Sequence, residues 1–169
     1  INTVDNIRSL LKAGADKISI NSSAIKNPKI IKDAAQHFGS QCVVVAVDVK
    51  KKGDDWLVFS HGGTISTNIN VLDWVKEVEL LGAGEILLTS MDRDGTKKGF
   101  DLEILKKITS FLNIPVIASG GVGSMKDFYD GVKKGGASAL LAASVFHFNQ
   151  FSIKEVKQYL SEKNIAVRK

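Results

Sequence analysis

The sequence predicts an α/β fold in which parallel strands alternate with helices. Short, almost wholly apolar runs recur between segments whose apolar residues repeat at helical spacing, and strands of that kind are typically buried on both faces. A Gly-Ala pair also stands between a helix and the next strand, where glycine readily adopts the conformation that ends a helix. Repeated units of this type favour either a doubly wound sheet or a (β/α)8 barrel. The pairs are Gly14-Ala15, Gly82-Ala83 and Gly136-Ala137.

Capping residues mark the helices between these strands. Thr3 precedes the first helix, Pro28 opens the second, and Ser152 with Glu155 forms a capping box at the start of the last. The strands themselves are expected at residues 17–21, 42–48, 86–88, 115–118 and 139–142.

One segment interrupts the alternation after the second strand. Residues 50–55 carry a turn signal, residues 56–60 a returning strand and residues 61–64 a loop, so a β-hairpin is expected there. No Gly-x-Gly-x-x-Gly motif follows a first strand, which argues against a dinucleotide-binding sheet. Because no linker is evident, residues 1–169 are expected to form a single domain.

Composition places the chain among globular proteins. With 169 residues, 44% of them hydrophobic, it can bury one core, which excludes disordered, collagen-like and disulfide-stapled classes. The single Cys42 cannot form an internal disulfide, which favours a reducing compartment and predicts a cytoplasmic protein. No apolar run is long enough for a membrane span. The net charge of +5 is scattered, so a solvated surface is favoured over nucleic-acid binding.

Polar residues are concentrated where the predicted strands end. In parallel α/β folds the carboxyl ends of the strands lie on one side of the sheet, where binding sites are built. The amino-terminal ends carry nothing as regular, so this asymmetry predicts a site at the carboxyl ends. The residues concerned are Asn21-Ser22-Ser23, Asp48, residues 89–95 beginning with Thr89, residues 119–123 and Ala143-Ser144.

Glycines after the fourth strand predict a phosphate site. The backbone N–H groups of Ser119-Gly120-Gly121 can approach a phosphate dianion closely, and Ser144 follows the neighbouring strand. A tight turn is the alternative for a Gly-Gly pair, but the position of Ser144 favours phosphate. A second anion site at Asn21 and Ser22 is less favoured, when those residues are considered alone, than a helix cap in which Ser22 or Ser23 binds the backbone N–H groups.

Asp48 is the most informative single residue. It ends a run of valine and alanine, where partial desolvation raises the pKa of a carboxyl and suits it to proton transfer near neutral pH. A salt bridge to Lys50 or Arg93 is the structural alternative. The Asp94-Gly95 pair also fits an ordinary turn. No residues have metal-ligand spacing, and no cofactor is expected.

A long motif then gives the chain a family resemblance. Residues 82–96, with the order Gly-Ala-Gly-Glu-Ile-Leu-Leu-Thr-Ser-Met-Asp-Arg-Asp-Gly-Thr, are specific enough to carry it. Together with four shorter motifs they resemble the cyclase subunit of imidazole glycerol phosphate synthase, an enzyme of histidine biosynthesis. The resemblance runs from Ile1 to about Arg168, and the shorter motifs are residues 38–41, 45–48, 117–121 and 142–148.

The resemblance implies a (β/α)8 barrel of about 250 residues and a defined reaction. In this family, ammonia from a glutaminase subunit attacks a bisphosphorylated ribulosyl aminoimidazole carboxamide. Ring closure and cleavage then give imidazole glycerol phosphate and aminoimidazole carboxamide ribotide. We therefore expect a heterodimer with a glutaminase and a small substrate with a phosphate at each end, without nucleic-acid or membrane partners.

The resemblance also implies roles for individual residues near the substrate. Asp48 matches one of two catalytic aspartates that share general acid and base work, and Asp94 matches a supporting acid. Asn21 and Ser22 match ligands of one phosphate, and Thr89 belongs to the substrate-binding set. The second phosphate is expected to lie against Gly95, Ser119, Gly120, Gly121, Ala143 and Ser144.

Other matches fall before the strands, at the opposite end of the barrel. Lys17 and Glu85 match two members of a charged gate through which ammonia enters the barrel. Asp16 and Gln41 are expected on the same side, as contacts for the glutaminase.

The family's first strand, which carries the other catalytic aspartate, has no counterpart in this sequence. We therefore expect an incomplete barrel of about five βα units with a hairpin insertion, lacking roughly the first three units and exposing two unpaired edges. By itself such a chain is expected to be inactive. Two alternatives stay open: the sister phosphoribosyl isomerase of the same pathway, and a non-catalytic phosphate-binding half-barrel. Residues 92–96 and the hairpin favour the cyclase over the isomerase.

Overall fold

The computed structural model describes residues 1–168. It alternates strands and helices along the chain, with a hairpin after the second strand. The elements are α1 (Val4–Lys12), β1 (Ile18–Ile20), α2 (Ser22–Lys26), α3 (Lys29–Phe38), β2 (Val43–Lys52), β3 (Asp55–Ser60), β4 (Ile65–Asn70), α4 (Val71–Leu80), β5 (Glu85–Ser90), α5 (Leu102–Thr109), β6 (Val116–Ser119), α6 (Met125–Lys133), β7 (Ala139–Leu141), α7 (Ser144–His147) and α8 (Ile153–Glu162).

The strands form one seven-stranded sheet. The order β4-β3-β2-β5-β6-β7 is linked by hydrogen bonds, and β1 pairs with the first half of β2. Strands β1, β2, β5, β6 and β7 are parallel, whereas β3 and β4 run antiparallel and extend the second half of β2. Among the described residues, β1 pairs only with β2 and β7 only with β6, so the sheet is not closed. This is the incomplete (β/α)8 barrel that the family resemblance implies.

The two faces of the sheet have different surroundings. Val43, Val45, Val47 and Val49 of β2 are fully buried in a single core that also contains the helices' apolar residues. The residues between these valines, and their partners on neighbouring strands, point to the opposite, inner face of the sheet. Leu87 of β5 lies on this inner face and is not part of the helix-packed core. Continuous apolar strands are therefore explained by one face packed on helices and the other facing the barrel interior.

Local signals at the helix ends are confirmed. The Thr3 side chain accepts a hydrogen bond from the backbone N–H of Asn6 and caps α1. Gly39, with a φ of 90°, ends α3, and Ser152 with Glu155 forms the expected capping box on α8. Pro28, expected at the first position of this helix, lies one residue before α3, at its cap position, with helical backbone angles.

The structure adds elements that the sequence did not predict. The hairpin continues into β4, whose edge position and polar residues give no apolar pattern. Helices α2 and α7 have five and four residues, too few for helical periodicity to be visible. Among the helices of residues 1–168, none combines the length and the hydropathy needed to cross a bilayer.

Candidate active site

Strand register brings the predicted polar residues into one row. Asp48 of β2 lies opposite Thr89 of β5, Thr89 lies opposite Ser119 of β6, and Ser119 lies opposite Leu141 of β7. Paired residues of neighbouring strands point to the same face of a sheet. One carboxylate and two hydroxyl groups therefore lie side by side on the inner face, at the carboxyl ends of the strands.

Asp48 is half-buried and bound by a neighbouring amide. The Asn21 Nδ2 donates a hydrogen bond to Asp48 Oδ2 at 2.9 Å, across the β1–β2 pair. Burial raises the pKa of Asp48 above its usual value, the hydrogen bond from Asn21 lowers it, and the negative charge of Asp94 raises it further; the net direction is upward. Asp48 forms no salt bridge with the described residues, so the predicted alternative of pairing to Lys50 or Arg93 is wrong.

The glycine-rich loops form a pocket of about 150 Å³ next to this row. All six residues expected to lie against one phosphate line it: Gly95, Ser119, Gly120, Gly121, Ala143 and Ser144. Asp94 and Lys97 line it as well. The sequence did not single out Lys97; its only signal is that it is a basic residue two positions after Gly95, in the same loop.

Close packing explains why glycine is needed in this pocket. Gly120 and Gly121 have φ values of +92° and +100°. A Cβ on Gly121 would lie 2.3 Å from the carbonyl oxygen of Gly99, whose N–H donates to the Gly121 carbonyl at 2.7 Å. The loops after β5 and β6 therefore approach each other at a distance that only glycine allows.

The two aspartates of the loop after β5, Asp92 and Asp94, make different contacts. Asp92 Oδ2 accepts a hydrogen bond from the backbone N–H of Lys51 at 2.7 Å, which fastens the loop to the hairpin. Asp94 instead lines the pocket and is close enough to raise the pKa of Asp48. Asp94 therefore both lines the glycine pocket and acts electrostatically on the candidate acid.

The end of β1 contacts the turn of the β3–β4 hairpin. Ser22 Oγ accepts a hydrogen bond from the backbone N–H of His61 at 2.9 Å. Asn21 occupies the cap position of α2, but its side chain makes no capping bond. The predicted cap at Ser22 or Ser23 is not formed, because both residues lie inside α2. The Asn21 side chain, at the cap position, is directed to Asp48 instead.

The residues expected at the opposite end of the strands are also brought together. Lys17, just before β1, forms an ion pair with Glu85, the first residue of β5. Asp16 and Gln41 are both exposed, and Gln41 Nε2 donates to the Phe38 carbonyl at 3.2 Å. A charged pair and two exposed polar residues thus lie at the amino-terminal ends, away from Asp48.

Comparison with known proteins identifies the family. The family model described as "Histidine biosynthesis protein" matches residues 1–152. Imidazole glycerol phosphate synthase subunit HisF of Natranaerobius thermophilus is 58% identical over 168 residues, which cover 99% of this chain and 67% of that protein. The subunits named HisF of Clostridium beijerinckii and of Clostridium botulinum strain Okra are 54% and 57% identical, with the same shares covered. The chain therefore belongs to the family of the cyclase subunit of imidazole glycerol phosphate synthase, in histidine biosynthesis.

Proposed function

We propose that this chain supplies a catalytic carboxylate and two phosphate sites for the cyclase step of imidazole glycerol phosphate synthesis. The substrate is a bisphosphorylated ribulosyl aminoimidazole carboxamide, and the products are imidazole glycerol phosphate and aminoimidazole carboxamide ribotide. One observation carries the proposal: Asp48 lies on the inner face between a glycine pocket and the Asn21-Ser22 strand end.

The first phosphate binds in the glycine pocket. The backbone N–H groups of Gly120 and Gly121 can approach the dianion because no side chain intervenes, and Ser144 adds a hydroxyl donor. Lys97 supplies a positive charge that offsets the negative charge of Asp94 in the same pocket.

The second phosphate binds at the end of β1. Ser22 Oγ accepts from the His61 N–H, which leaves its hydroxyl hydrogen free to donate to a phosphate oxygen. Asn21 completes this side with the amide hydrogen that does not bind Asp48. A substrate held at both ends would cross the row formed by Asp48, Thr89 and Ser119.

Asp48 exchanges protons with the substrate during ring closure. Its raised pKa brings the carboxyl closer to the working pH, where a general acid or base is most effective. Asp94, an exposed residue that lines the glycine pocket, is the supporting acid for Asp48. By resemblance, a second aspartate shares this work.

Ammonia enters from the opposite end of the strands. We assign the gate to the Lys17–Glu85 ion pair, and the contact with a glutaminase subunit to the face that bears Asp16 and Gln41. We also propose a cytoplasmic location, because the single Cys42 is a free, buried thiol, which fits a reducing compartment. Within residues 1–168, β1 and β7 each keep one edge without a strand partner, and the chain covers 67% of a HisF relative; both facts support a barrel that further βα units complete.

Replacing the carboxylate tests the proposal directly. With excess ammonium salt as the nitrogen source, Asp48→Asn in the complete enzyme should lower kcat by about 10²- to 10⁴-fold, the range that general acid–base catalysis contributes. Asp54→Asn, an exposed aspartate in the hairpin turn, is the matched control and should keep wild-type activity.

Folding can be checked in the same variants. Because the pKa of Asp48 is raised in the folded state, its charge opposes folding at neutral pH, and Asp48→Asn should be at least as stable as wild type. Substantial turnover by a folded Asp48→Asn protein would refute the assignment.

A further inference from the structure

We propose that Asn21 is a positioning residue for Asp48: its amide occupies Asp48 Oδ2, so that proton exchange with substrate runs through Oδ1. This inference rests on the proposed role of Asp48 and assigns Asn21 a task distinct from phosphate binding.

The geometry of Asn21 is unusual for its position. Asparagine at the first position before a helix normally accepts a hydrogen bond from that helix's backbone. Asn21 precedes α2 and makes no such bond. Its amide nitrogen instead reaches Asp48 Oδ2 at 2.9 Å, and its own Oδ1 is buried without a hydrogen-bond partner among residues 1–168. Asn21 therefore lacks the usual helix-capping hydrogen bond and instead makes a hydrogen bond to a residue of the neighbouring strand.

The contact makes the two carboxylate oxygens inequivalent. Oδ2 accepts the Asn21 amide hydrogen, whereas Oδ1 has no hydrogen-bond partner among the described residues. An amide N–H binds an unprotonated oxygen, so it disfavours protonation at Oδ2. The proton that Asp48 takes up or gives away is then carried on Oδ1, and the carboxylate plane is held in one orientation.

The hydrogen bond from Asn21 lowers the pKa of Asp48, whereas burial and the charge of Asp94 raise it. The side chain opposite on β3 is Phe59 and the one opposite on β5 is Thr89, both uncharged. Asp94, on the loop after β5, is the charged group that raises the pKa of Asp48, in addition to burial. His61, the titratable residue of the hairpin turn, contacts this region through its backbone N–H at Ser22. Asn21 is thus the neighbour that favours the charged form.

Titration of Asp48 tests this role without any turnover. The Asp48 carboxyl carbon is followed by ¹³C NMR against pH, and its signal is assigned by its loss in Asp48→Asn. Asn21→Leu, which keeps the volume but removes the donor, should move the midpoint of Asp48 upward. Asn21→Ala, which removes the donor without adding a charge, should move it in the same direction and serves if the leucine variant fails to fold. An unchanged midpoint in folded variants overturns the proposal.

Kinetics separate positioning from phosphate binding. In the complete enzyme with ammonia, Asn21→Leu should lower kcat at least tenfold and move the acidic limb of the kcat/KM profile to higher pH. Ser22→Ala should raise KM and leave that limb in place. Asn113→Leu, an exposed asparagine before β6, controls for the substitution itself. A rise in KM alone for Asn21→Leu would overturn the positioning role.

The two hypotheses fail in different ways. If Asp48→Asn stays fully active, the proposed role of Asp48 is wrong, yet the NMR titration still reports whether Asn21 controls its charge. If Asp48→Asn is inactive and Asn21→Leu leaves both the titration and the pH profile unchanged, only the role of Asn21 is wrong.

Discussion

Gly121→Ala is the substitution with the sharpest expected effect on the glycine pocket. The new Cβ would lie 2.3 Å from the Gly99 carbonyl oxygen, whereas a relaxed C···O contact is about 3.3–3.6 Å. The loops after β5 and β6 must therefore separate by about 1 Å. That displacement breaks the Gly99 N–H hydrogen bond to Gly121, now 2.7 Å, and moves the N–H groups of the pocket.

Two magnitudes follow for this variant. A non-glycine residue at a φ of +100° costs about 1–2 kcal/mol of backbone strain, before the clash is counted. Losing one hydrogen bond to a charged phosphate costs about 1.5–3 kcal/mol, which is about a 10- to 150-fold weaker affinity. The assay is titration with inorganic phosphate by calorimetry or ³¹P NMR, paired with urea unfolding.

Gly14→Ala provides a matched control. Gly14 has nearly the same φ, +102°, but a Cβ there meets nothing within 4 Å. It should show the strain cost alone, with wild-type phosphate affinity. Equal loss of stability in both variants, or wild-type phosphate affinity in Gly121→Ala, would refute the argument that close approach of the two loops builds the pocket.

Three further predictions concern charge. Lys97→Ala should weaken inorganic phosphate binding severalfold at low salt, about 1 kcal/mol for a partly solvated charge, whereas Lys98→Ala, which does not line the pocket, should not. Lys17→Ala breaks the ion pair with Glu85 and should lower glutamine-dependent turnover more than ammonia-dependent turnover. Burial raises the pKa of Asp130, but hydrogen bonds and charges from two neighbouring lysines lower it more, so Asp130→Asn should destabilise the fold at neutral pH.

Each of these three predictions has a result that would contradict it. Equal phosphate affinities for Lys97→Ala and Lys98→Ala would exclude a role for Lys97. A proportional loss of both activities in Lys17→Ala would exclude a gate. Because the pKa of Asp130 is lowered in the folded state, its contribution is present above its unfolded pKa and disappears as the pH falls. Urea unfolding should therefore show the gap between wild type and Asp130→Asn closing in acid; a constant gap would contradict the assignment.

The parallel order of the sheet and the position of Asp48 could be predicted from sequence. Continuous apolar strands that alternate with helices are typical of a covered parallel sheet, and a polar residue at the end of such a strand then lies at its carboxyl end. The glycine pocket was predictable for the same reason, since the residues after β6 and β7 lie beside each other in this topology.

The contacts between side chains could not be predicted in this way. The bond from Asn21 to Asp48 depends on the register of β1 against β2 and on a side-chain rotamer, and neither leaves a pattern in the sequence. Asn21 instead carries the ordinary signature of a cap. Lys97 and the strand β4 were missed because exposed polar residues show no hydrophobic periodicity.

A crystal structure of the complete enzyme with its bisphosphorylated substrate would test the central claim most directly. It should place one phosphate against Gly120 and Gly121, the other against Ser22, and Asp48 Oδ1 within about 3.2 Å of a substrate atom that gains or loses a proton. Both phosphates bound away from these residues, or Asp48 separated from the substrate by another side chain, would contradict it.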